Sequence, residues 1–213
     1  FELFFGGNKM EKRKGLLLVV SGPSGVGKGT VCKAVINRNP CVKLSVSATT
    51  RAKRQGEEEG KSYFFKTREE FERMISEGEL LEHVLLFNSN YYGTPKANIV
   101  NETGACNDII LEIDYHGALS VKKAYPDAVL IFVAPPVMGE LKARLEHRAS
   151  ESEDSRKIRL NTALEEMRMM GKYDYVIIND NVEKAVMTIE AIMTAEKSKI
   201  SRNAELLEEL MED

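Results

Sequence analysis

Tryptophan is absent from the 213 residues, and there are only three cysteines and three histidines. Cys32, Cys41 and Cys106 are odd in number and form no Cys-x-x-Cys pair, which excludes a disulfide framework or a zinc site and leaves reduced thiols as the expectation. His83, His116 and His147 are too scattered to suggest a metal cage. No apolar run approaches the roughly 18 residues needed to cross a bilayer. Nothing at the start reads as a signal peptide, so the expected setting is the cytoplasm. An excess of positive charge is also missing. With 30 Lys and Arg against 33 Asp and Glu the net charge is -3, which argues against a chain that coats nucleic acid or an anionic membrane. Composition of 43% hydrophobic and 30% charged residues fits one globular unit able to bury a core. Residues 1–15 read as an N-terminal arm, in part an appended remnant, because FELFFGGNK is unlike the charged, regular sequence from Met10 onward.

Glycine is concentrated where it has a use. Residues 22–30, GPSGVGKGT, follow the apolar run at 16–20 and open a helical stretch. The glycines and the proline do not suit the interior of a strand or helix. They suit a backbone cradle, in which the N–H groups of Gly22, Ser24, Gly25, Val26, Gly27, Gly29 and Thr30 turn toward a phosphate chain. Pro23 shapes the turn, and Lys28 supplies a cation for the β and γ phosphates. The usual pattern places Ser or Thr directly after the lysine to meet magnesium. Here Gly29 takes that place and Thr30 follows, so Mg2+ is expected to be held mainly by ATP phosphates and water, with Thr30 assisting. A GKGT ending is familiar from small-molecule phosphate-transferring kinases.

The rest of the chain alternates strands and helices. A buried strand is expected over 16–21 and a helix over Lys28–Arg38, with Val31, Val35 and Ile36 inward and Asn39 and Pro40 ending it. From 42 to 92 the pattern is that of a polar insertion carrying its own small sheet: LSVSATT, a charged loop RAKRQGEEEGK, SYFF, a helix over 68–77, and LLEHVLLF. Apolar strands return at 108–113, 128–133 and 175–179 with helices between them. Such a chain predicts an α/β fold of the P-loop NTPase type, a parallel sheet with helices on both faces, plus an inserted small mixed sheet. ASESEDSR at 149–156 is either a solvated connection or part of a mobile lid between helices that carry arginines. Val182, Ala185, Val186, Ile189, Ile192 and Met193 form a core-facing helical stripe; Leu206, Leu207 and Leu210 could pack on the same molecule or on a partner.

Beyond the loop, a series of short pieces occurs in a fixed order. These are SVSATTR at 45–51 with Arg54, GKSYFF with Tyr63, LLEH with Glu82, NYYGT at 90–94, ILEID at 110–114, LKARLEHR at 141–148, Arg159 and YVIIND at 175–180. Together they resemble the guanylate kinase family over about 16–182. The resemblance implies transfer of the γ-phosphoryl group of ATP to GMP, and to dGMP, giving ADP and GDP for purine nucleotide metabolism, with Mg2+ on the ATP phosphates. It implies that Arg51, Arg54, Tyr63 and Tyr92 hold the GMP phosphate. Ser47, Glu82 and Thr94 would surround the guanine, Glu82 accepting from its N–H groups and the two hydroxyls donating to O6. Asp114 and Glu112 would lie at the mouth of the nucleotide sites, Glu112 where the family often carries aspartate. Arg144, Arg148 and Arg159 would neutralise the transferring group together with Lys28. The implied divisions are a core of 16–46, 98–148 and 161–213, a GMP-binding subdomain at 47–97 and a lid at 149–160.

Plainer readings stand beside these. Arg51 and Arg54 suit a solvated loop, Glu82 an exposed acid on a half-buried strand, Asp114 a helix N-cap, and LKARLEHR ordinary Arg–Glu pairing along a helix. A non-catalytic phosphopeptide-binding module of the same family, or a kinase for another small phosphorylated substrate, remains as an alternative. The partners implied are small nucleotides, with no nucleic acid and no membrane, and the chain could be a monomer or a homodimer.

Overall fold

The computed structural model describes residues 14–86, 90–146, 153–204 and 211, with side chains left aside at 86, 145–146 and 153–160. Strand β1 (Leu17–Ser21) is buried along its whole length and leads into helix α1 (Lys28–Arg38). Next come β2 (Val42–Leu44), β3 (Ala48–Thr49), β4 (Phe64–Phe65), α2 (Arg68–Ser76), β5 (Leu80–Leu86) and β6 (Asn90–Pro95). The chain continues through α3 (Lys96–Gly104), β7 (Asp108–Glu112), α4 (Tyr115–Ala124), β8 (Val129–Ala134) and α5 (Met138–Glu146). It then forms α6 (Glu153–Arg168), β9 (Tyr175–Ile178) and α7 (Val182–Lys197).

Five strands form a parallel sheet in the order β2-β7-β1-β8-β9. The unbroken apolar runs of β1, β7 and β8 have their physical reason here, because these central strands are covered on both faces. Leu18 and Val20 of β1 pack with Val31 and Val35 of α1 and Val186 and Ile189 of α7. Leu17 and Val19 face the other way, toward Ile99 of α3 and Ala118 and Val121 of α4. Helices therefore lie on both faces of the sheet, as the alternation predicts. One strand departs from expectation. The residue types from Val42 read as the start of the polar insertion, whereas the division implied by the resemblance keeps 42–46 in the core; Val42–Leu44 pairs with β7 as an edge strand, Val42 beside Asp108 and Leu44 beside Ile110. Only Val42 is buried, so its burial pattern is that of a short edge with a lysine turned to water.

The second sheet runs β4-β3-β6-β5, with β3 and β4 parallel and the β3–β6 and β5–β6 pairs antiparallel. Helix α2 covers it through Phe71 and Met74, and Phe71 stacks on Tyr91 with ring centroids 5.1 Å apart. A reciprocal capping box of Thr67 and Glu70 fixes where α2 starts.

The stripe on α7 is buried from Ala185 to Met193, while Val182 at its first turn is exposed. Glu196 continues the buried face as a charge, met by Tyr175 OH at 2.6 Å, Lys199 Nζ at 2.6 Å and Arg202 Nη2 at 3.4 Å. Leu206, Leu207 and Leu210 lie outside the described residues, as does residues 1–13 of the expected arm. Of that arm's last two residues, Gly15 is tied in by a hydrogen bond from its N–H to Thr103 O at 3.0 Å. None of the three cysteines forms a disulfide; Cys32 is buried and the other two are exposed. Among the described residues no helix is long and apolar enough to cross a membrane.

Candidate active site

The chain leaves β1 through a turn that requires glycine at three points. Gly22, Gly25 and Gly27 have φ of 139°, 83° and 97°, and an added methyl at Gly22 would stand 2.2 Å from the Val133 carbonyl oxygen. Gly27 ends the turn as the N-cap of α1, so the first N–H groups of that helix open toward the loop. The loop is braced from outside, since Val26 O accepts from Asn179 Nδ2 at 2.8 Å and from Arg144 Nη1 at 3.3 Å. Lys28 is more engaged than a side chain kept for ligand alone: its ammonium donates to Gly22 O at 2.5 Å and to Pro23 O at 3.3 Å. Burial pulls the Lys28 ammonium below the ordinary lysine range, and Glu166, Glu112 and Asp114 oppose that pull.

A cavity of about 650 Å³ opens over this loop, bordered by Ser24, Gly25, Gly27, Lys28, Gly29 and Thr30 and closed by Lys33, Glu112 and Arg144. A second cavity, of about 400 Å³, runs from Ser24 and Lys28 past Glu112, Asp114 and Glu166 to Ser47, Tyr63, Glu82 and Tyr92. Ser24, Lys28 and Glu112 border both, so the two cavities meet at the lysine.

Glu82 borders the second cavity and is itself buried. Its strand partner across the β5–β6 pair is Thr94, whose hydroxyl donates to Glu82 Oε1 at 2.7 Å. Burial pushes the Glu82 carboxyl up to about 7, against the Thr94 hydrogen bond and with the nearby Asp114 adding to the rise. Thr94 is fully buried, so its hydroxyl is committed to orienting Glu82, whereas Ser47 borders the cavity itself. Asp114 does two things at once: it borders the cavity and caps α4, accepting from Gly117 N at 2.9 Å.

Tyr63 and Tyr92 meet edge to face with centroids 6.0 Å apart on the cavity wall. The Arg51 guanidinium lies 5.4 Å over the Tyr63 ring and pairs with Glu57 at 2.7 Å. Glu57 also accepts from Arg54 N at 2.8 Å, while Arg54 itself is exposed. Neither arginine borders the cavity; Arg51 stands just outside Tyr63.

Arg144 donates to Val26 O of the loop at 3.3 Å and pairs with Glu140 one turn earlier at 3.2 Å, the plain Arg–Glu pairing that LKARLEHR suggests. Arg148 and the side chain of Arg159 lie outside the described residues. Sequence reasoning missed Glu166, a buried acid of α6 whose Oε2 accepts from Ser24 N at 3.3 Å. Burial raises its carboxyl above the usual range, with Lys28 and the Ser24 N–H drawing it back. Nothing in ALEEM sets Glu166 apart from the exposed Glu165 beside it. Lys33 and Glu57 were likewise without a distinguishing signal, while Asn179 stands in the YVIIND piece without any role assigned to it there.

A family model described as guanylate kinase matches residues 14–196. The chain belongs to the guanylate kinase family. It is 49% identical over 202 residues to the guanylate kinase of Caldanaerobacter subterraneus subsp. tengcongensis, covering 95% of this chain and 98% of that protein. Identity to the guanylate kinase of Halalkalibacterium halodurans is 51% over 203 residues, covering 95% and 99% of the two chains. The crystal structure of a guanylate kinase from Anaplasma phagocytophilum matches with a TM-score of 0.76 at 38% identity, covering 93% of this chain and 96% of that one. As a guanylate kinase family member the chain is an enzyme, and its parallel sheet with a separate mixed sheet is the architecture shared with that structure.

Proposed function

We propose that this guanylate kinase family enzyme transfers the γ-phosphoryl group of ATP to GMP, and to dGMP, giving ADP and GDP. The observation that carries the reading is the junction of two cavities at Lys28: one is walled by the phosphate loop, the other is bordered by Glu82. A phosphoryl group moving from one to the other stays within reach of one cation throughout. Phosphoryl transfer asks the protein mainly for positioning and charge stabilisation, which fits a site without a nucleophilic side chain at its centre.

In this reading the loop N–H groups and Lys28 hold the ATP phosphates, and Arg144, Arg148 and Arg159 face the charge of the transferring group. Tyr63 and Tyr92 hold the GMP phosphate, and a phosphate arriving beside them offers Arg51 a stronger bidentate partner than Glu57. Glu82 accepts from the guanine N1–H and amino group, Ser47 donates to O6, and Asp114 stands beside them. The oxygens of Thr30 and Glu112 border the phosphate cavity, and among the described residues no set of three or more acidic, His or Cys side chains could cage a metal. That donor set fits Mg2+ held chiefly by nucleotide phosphates and water, with Thr30 or Glu112 at its edge. When bound, the ion supplies neutralisation of phosphate charge. Residues 47–97 act as the GMP-binding subdomain; the lid expected at 149–160 lies outside the described residues over 149–152, and from Glu153 its backbone is the start of α6. The setting is the cytoplasm, in keeping with three cysteines outside any disulfide. A coupled assay of ADP release across GMP, dGMP, AMP, UMP and a sugar phosphate tests the reading. Turnover with GMP and dGMP alone is the expected result, and turnover with none of them would leave a binding module.

A further inference from the structure

Gly117 lies buried in the first turn of α4, directly behind Glu82. A methyl group at this position would stand 3.0 Å from Glu82 Oε2, 3.2 Å from Ile113 Cδ1 and 3.4 Å from the Glu82 carboxyl carbon. Backbone conformation does not call for glycine here, because Gly117 is absent from the glycines with positive φ. Helix propensity argues against it, glycine being the poorest helix former after proline. Its N–H does donate to the capping Asp114 side chain, but any non-proline residue supplies the same N–H. What remains is the space that its missing side chain leaves.

That space is filled by a carboxylate fixed on its other side. Glu82 Oε1 is held by the Thr94 hydroxyl at 2.7 Å, and Thr94 is fully buried, so the group has little freedom to retreat in that direction. We propose that Gly117 is a specificity-determining positioning residue, whose bare backbone lets Glu82 present its carboxylate to the Watson–Crick edge of guanine; this rests on the functional reading above. Recognition of two adjacent N–H donors needs both carboxylate oxygens in the plane of the base. A methyl at position 117 turns Oε2 out of that plane. The fold is little affected, since the group displaced is the far end of a flexible side chain. The loss falls on the base rather than on ATP.

The test is a double-mutant cycle of Gly117→Ala and Glu82→Gln, with steady-state kinetics in each substrate and thermal melts of every variant. Gly117→Ala raises KM for GMP about tenfold, leaves KM for ATP within about twofold, and melts at or above the wild-type temperature. In the Glu82→Gln background the same alanine adds less than about twofold, because the group it displaces has already lost its charge. A wild-type KM for GMP in Gly117→Ala overturns the inference, and so does an undiminished tenfold effect in the Glu82→Gln background. Should the methyl unsettle α4 through Ile113, Ile113→Val with Gly117→Ala restores the melt and keeps the KM defect; recovery of KM along with the melt would overturn the inference. Absence of GMP turnover in the wild-type protein would instead overturn the functional reading on which it rests.

Discussion

Glu166 accepts a hydrogen bond from the Ser24 N–H at 3.3 Å across 142 positions of chain, which places a buried carboxylate of α6 on the phosphate loop and beside Lys28. In the absence of nucleotide this acid supplies negative charge to the lysine. The phosphates of ATP bring the same sign of charge to the same place.

A consequence follows for ATP affinity. Glu166→Gln keeps an oxygen that accepts from Ser24 but removes the repulsion, so ATP binding without GMP tightens by about three- to tenfold at low salt. Glu166→Ala loses the brace as well and weakens binding. Calorimetric titration of the two variants checks this; if Glu166→Gln weakens binding as Glu166→Ala does, the brace outweighs the charge.

Lys28→Met should lower turnover by about a thousandfold, since the ammonium is the cation shared by both cavities. The hydrogen bonds from Nζ to Gly22 O and Pro23 O add a smaller structural effect. Loss of these bonds costs about 1 kcal/mol, seen as a modest drop in melting temperature. Near-normal turnover in the folded variant would remove Lys28 from the chemistry.

Gly29 and Glu112 form a steric pair: a methyl at Gly29 would lie 3.3 Å and 3.4 Å from the two Glu112 oxygens. The hydroxyl that phosphate loops often carry after the lysine therefore competes for room with the longer acid. Gly29→Ser is expected to lower kcat/KM for ATP about tenfold, and adding Glu112→Asp, one methylene shorter, to recover most of it. Steady-state kinetics with ATP varied would decide, and simple addition of the two losses would show that the residues act independently.

The parts of the site legible in the sequence are those whose requirement is local. The loop at 22–30 is readable because positive φ and close backbone approach demand glycine at fixed spacing, and β1, β7 and β8 because burial on both faces demands unbroken apolar runs. Val42–Leu44 escaped because a three-residue edge strand with two exposed side chains has no periodicity of its own. Glu166 escaped because its role depends on a neighbour far along the chain. Thr94 was legible as part of the base site, but its direction toward Glu82 follows from β5–β6 register, which the residue types do not state. Gly117 carries no local mark in the sequence, and its place against Glu82 follows from the fold.

The Glu82 carboxyl should govern how GMP use depends on pH. Its value in the fold is about 7, above the 4.5 of an unperturbed glutamate, chiefly through burial. The fold therefore favours the protonated form. The stability that the group contributes is full below about 4.5 and is lost as pH rises through about 7. Recognition runs the other way, because only the carboxylate offers acceptors alone to the guanine N–H groups, while a protonated acid sets a donor against one of them. The free enzyme thus binds GMP well only after paying to ionise Glu82, and kcat/KM for GMP should rise toward tenfold per pH unit below about 7 and level off above it. The phosphate of GMP also titrates near pH 6, so the comparison that isolates the carboxyl is Glu82→Gln, whose profile keeps the phosphate effect and loses the step near 7. Apparent KM for ATP, set at the loop cavity, should not follow the step. Parallel pH profiles of kcat/KM from pH 5.5 to 8.5 for the two proteins provide the measurement. Superimposable profiles would mean that Glu82 is ionised throughout that range or does not meet the base.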